Sequence, residues 1–202
     1  MWTSAFAALL AASSAATPPP PTTQVQDWKA TIADDGAGSL LFRAMTLEET
    51  GLDEDTLVLS LDRVPGNCDQ VLISMAVVSQ ELHGLPGGML SPSFFGEMQV
   101  DRLKPRRFDY RFLTDPHFDN VILVQRTGWE RSDDDLFAEL RQGQKWKFRV
   151  VVDGEEHQWR FSLMGVTKVL DLTHQQCLAK SEETGSTENV LEQAALSEEY
   201  AL

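Results

Sequence analysis

From Trp28 onward the chain alternates apolar and polar residues in short runs broken by turn-forming residues, the period-two pattern of half-buried strands. Thr56 to Arg63 is the cleanest run, with Leu57, Leu59 and Leu61 on one side and polar or smaller residues on the other. A turn, Val64-Pro65-Gly66-Asn67, separates it from a second apolar run, Val71 to Val78. The two predict a hairpin, with Cys68 at its tip or where the second strand begins. Asp27 to Ile32 and Ser39 to Met45 read as strands around the turn chemistry of Asp34-Asp35-Gly36-Ala37-Gly38. Gly84 to Ser93 reads as a loop. Glu97 to Asp101, Arg107 to Leu113 and Asn120 to Arg126 read as three more strands, punctuated by Pro105, Asp115-Pro116 and Asn120.

The period changes near residue 132. Ser132 followed by Asp135 has the spacing of a capping box, and Asp133, Asp134 and Asp135 sit where a helix dipole favours negative charge. Leu136, Phe137 and Leu140 give an apolar stripe and Gly143 a stop, so a short helix is predicted over 133–142. Trp146 to Val152 and Glu155 to Leu163 then flank Asp153-Gly154, a two-residue hairpin signal. That loop pairs Val152 with Glu155, Val150 with His157, Phe148 with Trp159 and Trp146 with Phe161. All of these fall on one face, with Lys147, Arg149, Gln158 and Arg160 on the other. Ser162 is placed to cap a second helix, along which Val166, Val169, Leu170, Thr173 and Cys177 keep helical spacing.

The fold class this predicts is mainly β: an antiparallel β-sandwich or partly open barrel with two short helices, one before and one after a C-terminal hairpin. A chain of 202 residues with 42% hydrophobic residues fits one domain with tails. Four segments are read: residues 1–16 as a signal peptide, 17–26 as a Pro-rich linker, 27–179 as a β-rich globular domain, and 180–202 as an acidic tail, disordered or marginally helical. The formal net charge is -14. Six Glu with no Lys or Arg lie in 181–202, leaving -8 on the remainder, so the body is acidic too. Such a surface repels polyanions and argues against nucleic acid as a partner.

The opening MWTSAFAALLAASSAA carries a short apolar run and Ser14-Ala15-Ala16, which suits small-x-small cleavage, although it lacks the usual positive charge at its start. The run is too short to anchor in a bilayer, so no membrane insertion is expected after cleavage. TPPPPTT follows as an extended spacer. The chain has two cysteines, Cys68 and Cys177. In an oxidising compartment such a pair reads as a structural disulfide; in cytosol it reads as two buried thiols. The leader favours the first, and with it a periplasmic or secreted location. The inward stripe of the second helix brings Cys177 within reach of a sheet edge bearing Cys68.

Leu136 to Cys177 combines a short helix, an LRxG stop, a hairpin, and Phe161-Ser162-Leu163-Met164-Gly165 leading into a helix that ends in Cys. This order resembles the C-terminal half of the invasion-associated locus B family and related secreted proteins of proteobacteria. The resemblance covers about a fifth of the chain and rests mostly on core and cap residues. It implies a periplasmic β-sandwich with a disulfide and no established catalytic site. The N-terminal half departs from it, because that family carries further cysteines where this chain has only Cys68. A role in host-cell invasion does not transfer.

Several residue sets bear on function. Asp115, His117 and Asp119 alternate as a mononuclear metal site or small metal-dependent hydrolase would need, but Pro116 breaks the strand, and a polar turn accounts for them equally. Asp133, Asp134 and Asp135 lack the spaced loop of a calcium site and are explained by capping. Of the four histidines, His83, His117, His157 and His174, only His174 neighbours a potential nucleophile, Cys177, which the disulfide reading claims first. No G-x-S-x-G elbow occurs. Arg102, Lys104, Arg106, Arg107 and Arg111 form the one basic cluster. Phe108, Tyr110 and Phe112 alternate with Arg107, Asp109 and Arg111, so the cluster is either a solvated strand face or a docking patch for an anionic partner, a cell-wall polymer or an acidic protein surface. The reading as a whole is an exported, non-enzymatic binding or accessory domain. It implies no cofactor, and the 84–96 loop and the basic strand are its candidate surfaces. The alternatives are the hydrolase just described and an acidic immunity or inhibitor-type protein directed at a basic partner.

Overall fold

The computed structural model describes residues 22–34, 40–47, 56–78, 88–89, 94–115, 118–152 and 155–199. Ten strands follow one another in hydrogen-bonding order: β1 (Thr22–Val25), β2 (Trp28–Asp34), β3 (Leu40–Leu47), β4 (Thr56–Arg63), β5 (Gln70–Val78), β9 (Phe118–Arg126), β8 (Arg106–Asp115), β7 (Phe94–Val100), β11 (Lys145–Val152) and β12 (Glu155–Ser162). Two short strands lie off this path, β6 (Gly88–Met89) against β8 and β10 (Glu130–Arg131) against β5. Two helices complete the order, α1 (Asp135–Gln142) and α2 (Val166–Glu199). The fold is therefore mainly β and antiparallel, with one helix on each side of the β11–β12 hairpin.

One face of this sheet forms the core. Across the cross-strand registers, Trp28 and Ala30 sit beside Thr46 and Ala44, then Leu59 and Leu61, then Met75 and Ile73. Val124 continues the row on β9, Phe108 and Tyr110 on β8, Met98 and Val100 on β7, and Phe148, Trp146 and Phe161 on the last hairpin. All of these side chains are buried, and most join one apolar cluster with Leu136, Phe137 and Leu140 of α1 and Val166, Val169 and Leu170 of α2. Stripping that much apolar surface from water is the main stabilising term available to such a sheet.

The sheet stays open as a ladder but curls until its two ends meet. Trp28 Nε1 donates to Ser162 O at 2.8 Å, and Asp27 N to Met164 O at 3.3 Å. Gly165 completes this clasp. Its φ is +94°, and a Cβ on it would lie 2.3 Å from Val25 O. Only glycine meets both demands.

The β4–β5 hairpin has the predicted partners, and β11–β12 shows the register Val152 with Glu155, Val150 with His157, Phe148 with Trp159 and Trp146 with Phe161. Residues 153–154 of that turn lie outside the described residues, as do most of the 84–96 loop and residues 1–21. Four details differ from the sequence reading. Thr22 to Val25, placed in the linker, pair with β2. α1 begins at Asp135 with Asp134 as its N-cap, and Ser132 does not cap it: the Ser132 amide donates to Asp69 O at 2.7 Å, which ties it to the end of the β5–β10 pair. Ser162 is the last residue of β12, and its hydroxyl accepts from Met164 N ahead of the helix. α2, expected to be short, has 34 residues and runs on through the segment read as a disordered or marginally helical tail.

Gly143 does end α1, but with φ -79° rather than in a left-handed cap. Its need for glycine is spatial, since a Cβ would sit 2.4 Å from Val100 Cγ1. The inward stripe of α2 is as spaced in the sequence, with Val166, Val169, Leu170, Thr173 and Cys177 all buried. Cys177 is bonded to Cys68, with Cα atoms 5.7 Å apart. Ser181, one turn on, reinforces the link: its hydroxyl accepts from Gly66 N at 2.7 Å and donates to Cys177 O at 2.9 Å. The staple thus fixes the β4–β5 turn to the middle of α2.

Candidate functional site

The turn between β7 and β8 carries the most distinctive polar construction among the described residues. Asp101 adopts φ +48°, a left-handed conformation tolerated by Asp but uncommon outside glycine. Backbone bonds hold it there: Asp101 N donates to Lys145 O and Leu103 N to Val100 O, each at 2.9 Å. Its carboxylate accepts from Gln144 N at 3.0 Å and Lys145 N at 2.8 Å, and Gln99 Nε2 donates to Leu103 O at 2.7 Å. The turn is thereby bolted to the connection between α1 and β11, and Arg102, Leu103 and Lys104 project from it into solvent.

Beneath this finger lies an open groove of about 780 Å³, walled by Arg102 and Leu103 on one side, Lys145 and Lys147 of β11 on the second, and Glu139 and Gln142 of α1 on the third. Three carboxylates, Asp101, Asp135 and Glu139, also line it. Asp101 accepts the two amides just described, and Glu139 pairs with Arg106 at 2.6 Å. Arg102 and Lys147, by contrast, have no carboxylate partner among the described residues. Lys147 stands directly opposite Arg160 on β12, a like-charge cross-strand pair. Leu103, 46% exposed, adds an apolar contact at the rim. The groove lining thus holds as many basic as acidic side chains, with Asp101 and Glu139 engaged and Arg102 and Lys147 without carboxylate partners among the described residues, beside one hydrophobic foothold.

Of the five basic residues read from the sequence, the fold brings Arg102 and Lys104 to this turn and disperses the rest. Arg106 lies on the Phe108 side of β8, and its bidentate bond to Glu139 holds the guanidinium above its ordinary pKa. Arg107 lies over the Phe95 ring at 5.0 Å on the opposite face. Arg111 is further along that face and donates to Gln125 Oε1 at 2.6 Å and 3.1 Å. Sequence reading missed Lys147 and Asp101. Lys147 was visible only as an outward residue of a hairpin, and its adjacency to Arg102 depends on β11 pairing with β7.

The other candidate sets fare differently. Asp115 ends β8 and pairs in register with Phe118 at the start of β9, while His117 lies outside the described residues. Asp133 is engaged by Arg131 at 2.9 Å, which draws its pKa below the ordinary carboxylate value. Cys177 is consumed by the disulfide, and His174 Nε2 faces Asp69 Oδ1 at 3.2 Å rather than a nucleophile. Among the described residues no group of three or more His, Cys, Asp or Glu is placed to hold a metal ion, and no helix is long and apolar enough to cross a membrane. Comparison with protein-family models, curated proteins and solved structures finds no match to this chain.

Proposed function

We propose that this protein is an exported accessory or binding domain that works in the periplasm or outside the cell and recognises an anionic partner through the groove beside Arg102 and Lys147. The observation that carries this reading is the groove's electrostatics. Asp101 and Glu139 are spent on backbone amides and on Arg106, while Arg102 faces solvent from a turn held rigid by Asp101, with Lys147 beside it on β11. A rigid cationic site costs little ordering entropy when it binds, and on an acidic body it steers an anion to one place. A carboxylate-bearing polymer or an acidic protein surface has the matching chemistry. The compartment is supported by the disulfide, by the apolar leader and by the resemblance of residues 136–177 to secreted proteins.

Two measurements test it. Poly-L-glutamate titrated against the oxidised protein at low ionic strength should bind, weaken steeply as salt rises, and lose at least about tenfold in affinity in the Arg102→Glu, Lys147→Glu double variant. Equal binding by that variant, or none by the native chain, would reject the groove. Mass spectrometry of the exported protein should find Thr17 as the first residue and the Cys68–Cys177 bond intact. Retention of residues 1–16 would reject export.

A further inference from the structure

β12 ends the hydrogen-bonded path of the sheet, and the geometry of its outer edge can be read residue by residue. Leu163 N donates to Gln144 O at 2.8 Å, which fixes the phase of the β11–β12 ladder. Residues 155, 157, 159, 161 and 163 direct their backbone groups at β11, and residues 156, 158, 160 and 162 direct theirs away from it. The last outward carbonyl, Ser162 O, is taken by Trp28 Nε1 at 2.8 Å. On its outer side the stretch from Glu156 to Arg160 has no strand partner among the described residues, and Glu156, Gln158 and Arg160 are all exposed.

An exposed edge is usually blunted by charged side chains. Here the charges are opposite and symmetrically spaced, Glu156 and Arg160 two residues either side of Gln158. Antiparallel pairing with a second copy about a two-fold axis at Gln158 sets Gln158 against its own counterpart. It also sets Glu156 against the partner copy's Arg160, twice. Each of those positions directs its N–H and C=O outward, so the register forms about six backbone hydrogen bonds. Shifting it by four residues in either direction sets Glu156 against Glu156 or Arg160 against Arg160; shifting by two leaves both charges without opposites.

Within one chain these charges are poorly matched. Among the described residues Arg160 faces Lys147 across the ladder and bonds only Gln158 Oε1, at 3.4 Å, while Glu156 lies 3.6 Å from Arg149, a residue already paired with Glu97.

We propose that the chain self-associates as a two-fold dimer through β12, with Glu156 and Arg160 as reciprocal partners, so that the two sheets become continuous. The isologous edge gives closed symmetry and leaves no further strand exposed at that junction.

The test is sedimentation equilibrium of the oxidised full chain. The native protein should show a concentration-dependent dimer. Glu156→Arg alone and Arg160→Glu alone should each weaken it about ten- to a hundredfold, since two attractive pairs become repulsive. The doubly reversed variant should restore dimerisation, because it keeps the pairing with the signs exchanged. Gln158→Pro removes an N–H that points away from β11, so it should keep native circular dichroism while abolishing the dimer. A native protein that stays monomeric across the concentration range overturns the proposal, as does a double reversal that fails to rescue or a folded Gln158→Pro variant that still dimerises.

Discussion

At the scale of single residues, three positions make demands that can be measured. Gly165 combines a positive φ with a backbone contact no side chain can share. Gly165→Ala should cost about 2–3 kcal/mol, seen as a lower urea midpoint with unchanged slope. Tyr110 is fully buried, and burial pushes its phenol above the ordinary value despite a hydrogen bond to Val151 O at 3.3 Å. The fold thus favours the neutral form. Its contribution is complete at any pH below the unfolded value near 10 and is lost as pH climbs from there through the raised folded value. Of the two tyrosines in the chain, Tyr110 should ionise only at higher pH in a 295 nm titration, and Tyr110→Phe should remove that late phase. Arg63 is 1% exposed on the core face; its Nη1 donates to Cys68 O at 2.8 Å and its Nε has no hydrogen bond among the described residues. Burial lowers its pKa to about 10. Arg63→Met should leave stability within about 1 kcal/mol, because lost desolvation offsets the lost bond, whereas Arg63→Ala should cost about 3 kcal/mol through the cavity. Equal losses in the two would show that the charge itself is needed.

At the scale of elements, the disulfide is the strongest local constraint. It closes a loop of 109 residues, so replacing both cysteines with Ala should lower stability by about 4–5 kcal/mol in calorimetry, with the α2 amides near Cys177 the first to gain hydrogen exchange. Elements were also what the sequence disclosed best. A two-residue loop leaves the last hairpin one register, and 3.6-residue spacing marks one face of α2, so both are legible in the sequence itself. Strand order was not, because β5 beside β9 and β7 beside β11 are non-local pairings that no local pattern encodes. The start of α1 was misread for a related reason: Ser132 has the chemistry of a cap, but Asp69, more than sixty residues away, claims its amide. The extension of α2 was hidden by composition. Its acidic residues read as a tail, disordered or marginally helical, yet Glu, Gln, Ala and Leu are good helix formers. The groove was half legible, since Arg102 and Lys104 stand out in sequence while Lys147 joins them only through the fold.

At the scale of the whole molecule, the sheet ends where it begins. The Trp28 indole reaches Ser162 across a separation of 134 residues, and the apolar cluster needs Trp146 and Phe161 as much as Trp28 and Leu59. Such a fold has high contact order: its loop-closure entropy must be met before the rewarding contacts form. A chain that has emerged only as far as residue 144 lacks β11 and β12 and holds an unfinished half-cylinder with an apolar lining open to water. Fragments truncated there should bind a hydrophobic dye and show no cooperative melting. Maturation is thus gated by arrival of the last hairpin, which keeps a growing chain pliable and lets it lock only once β11 and β12 are available.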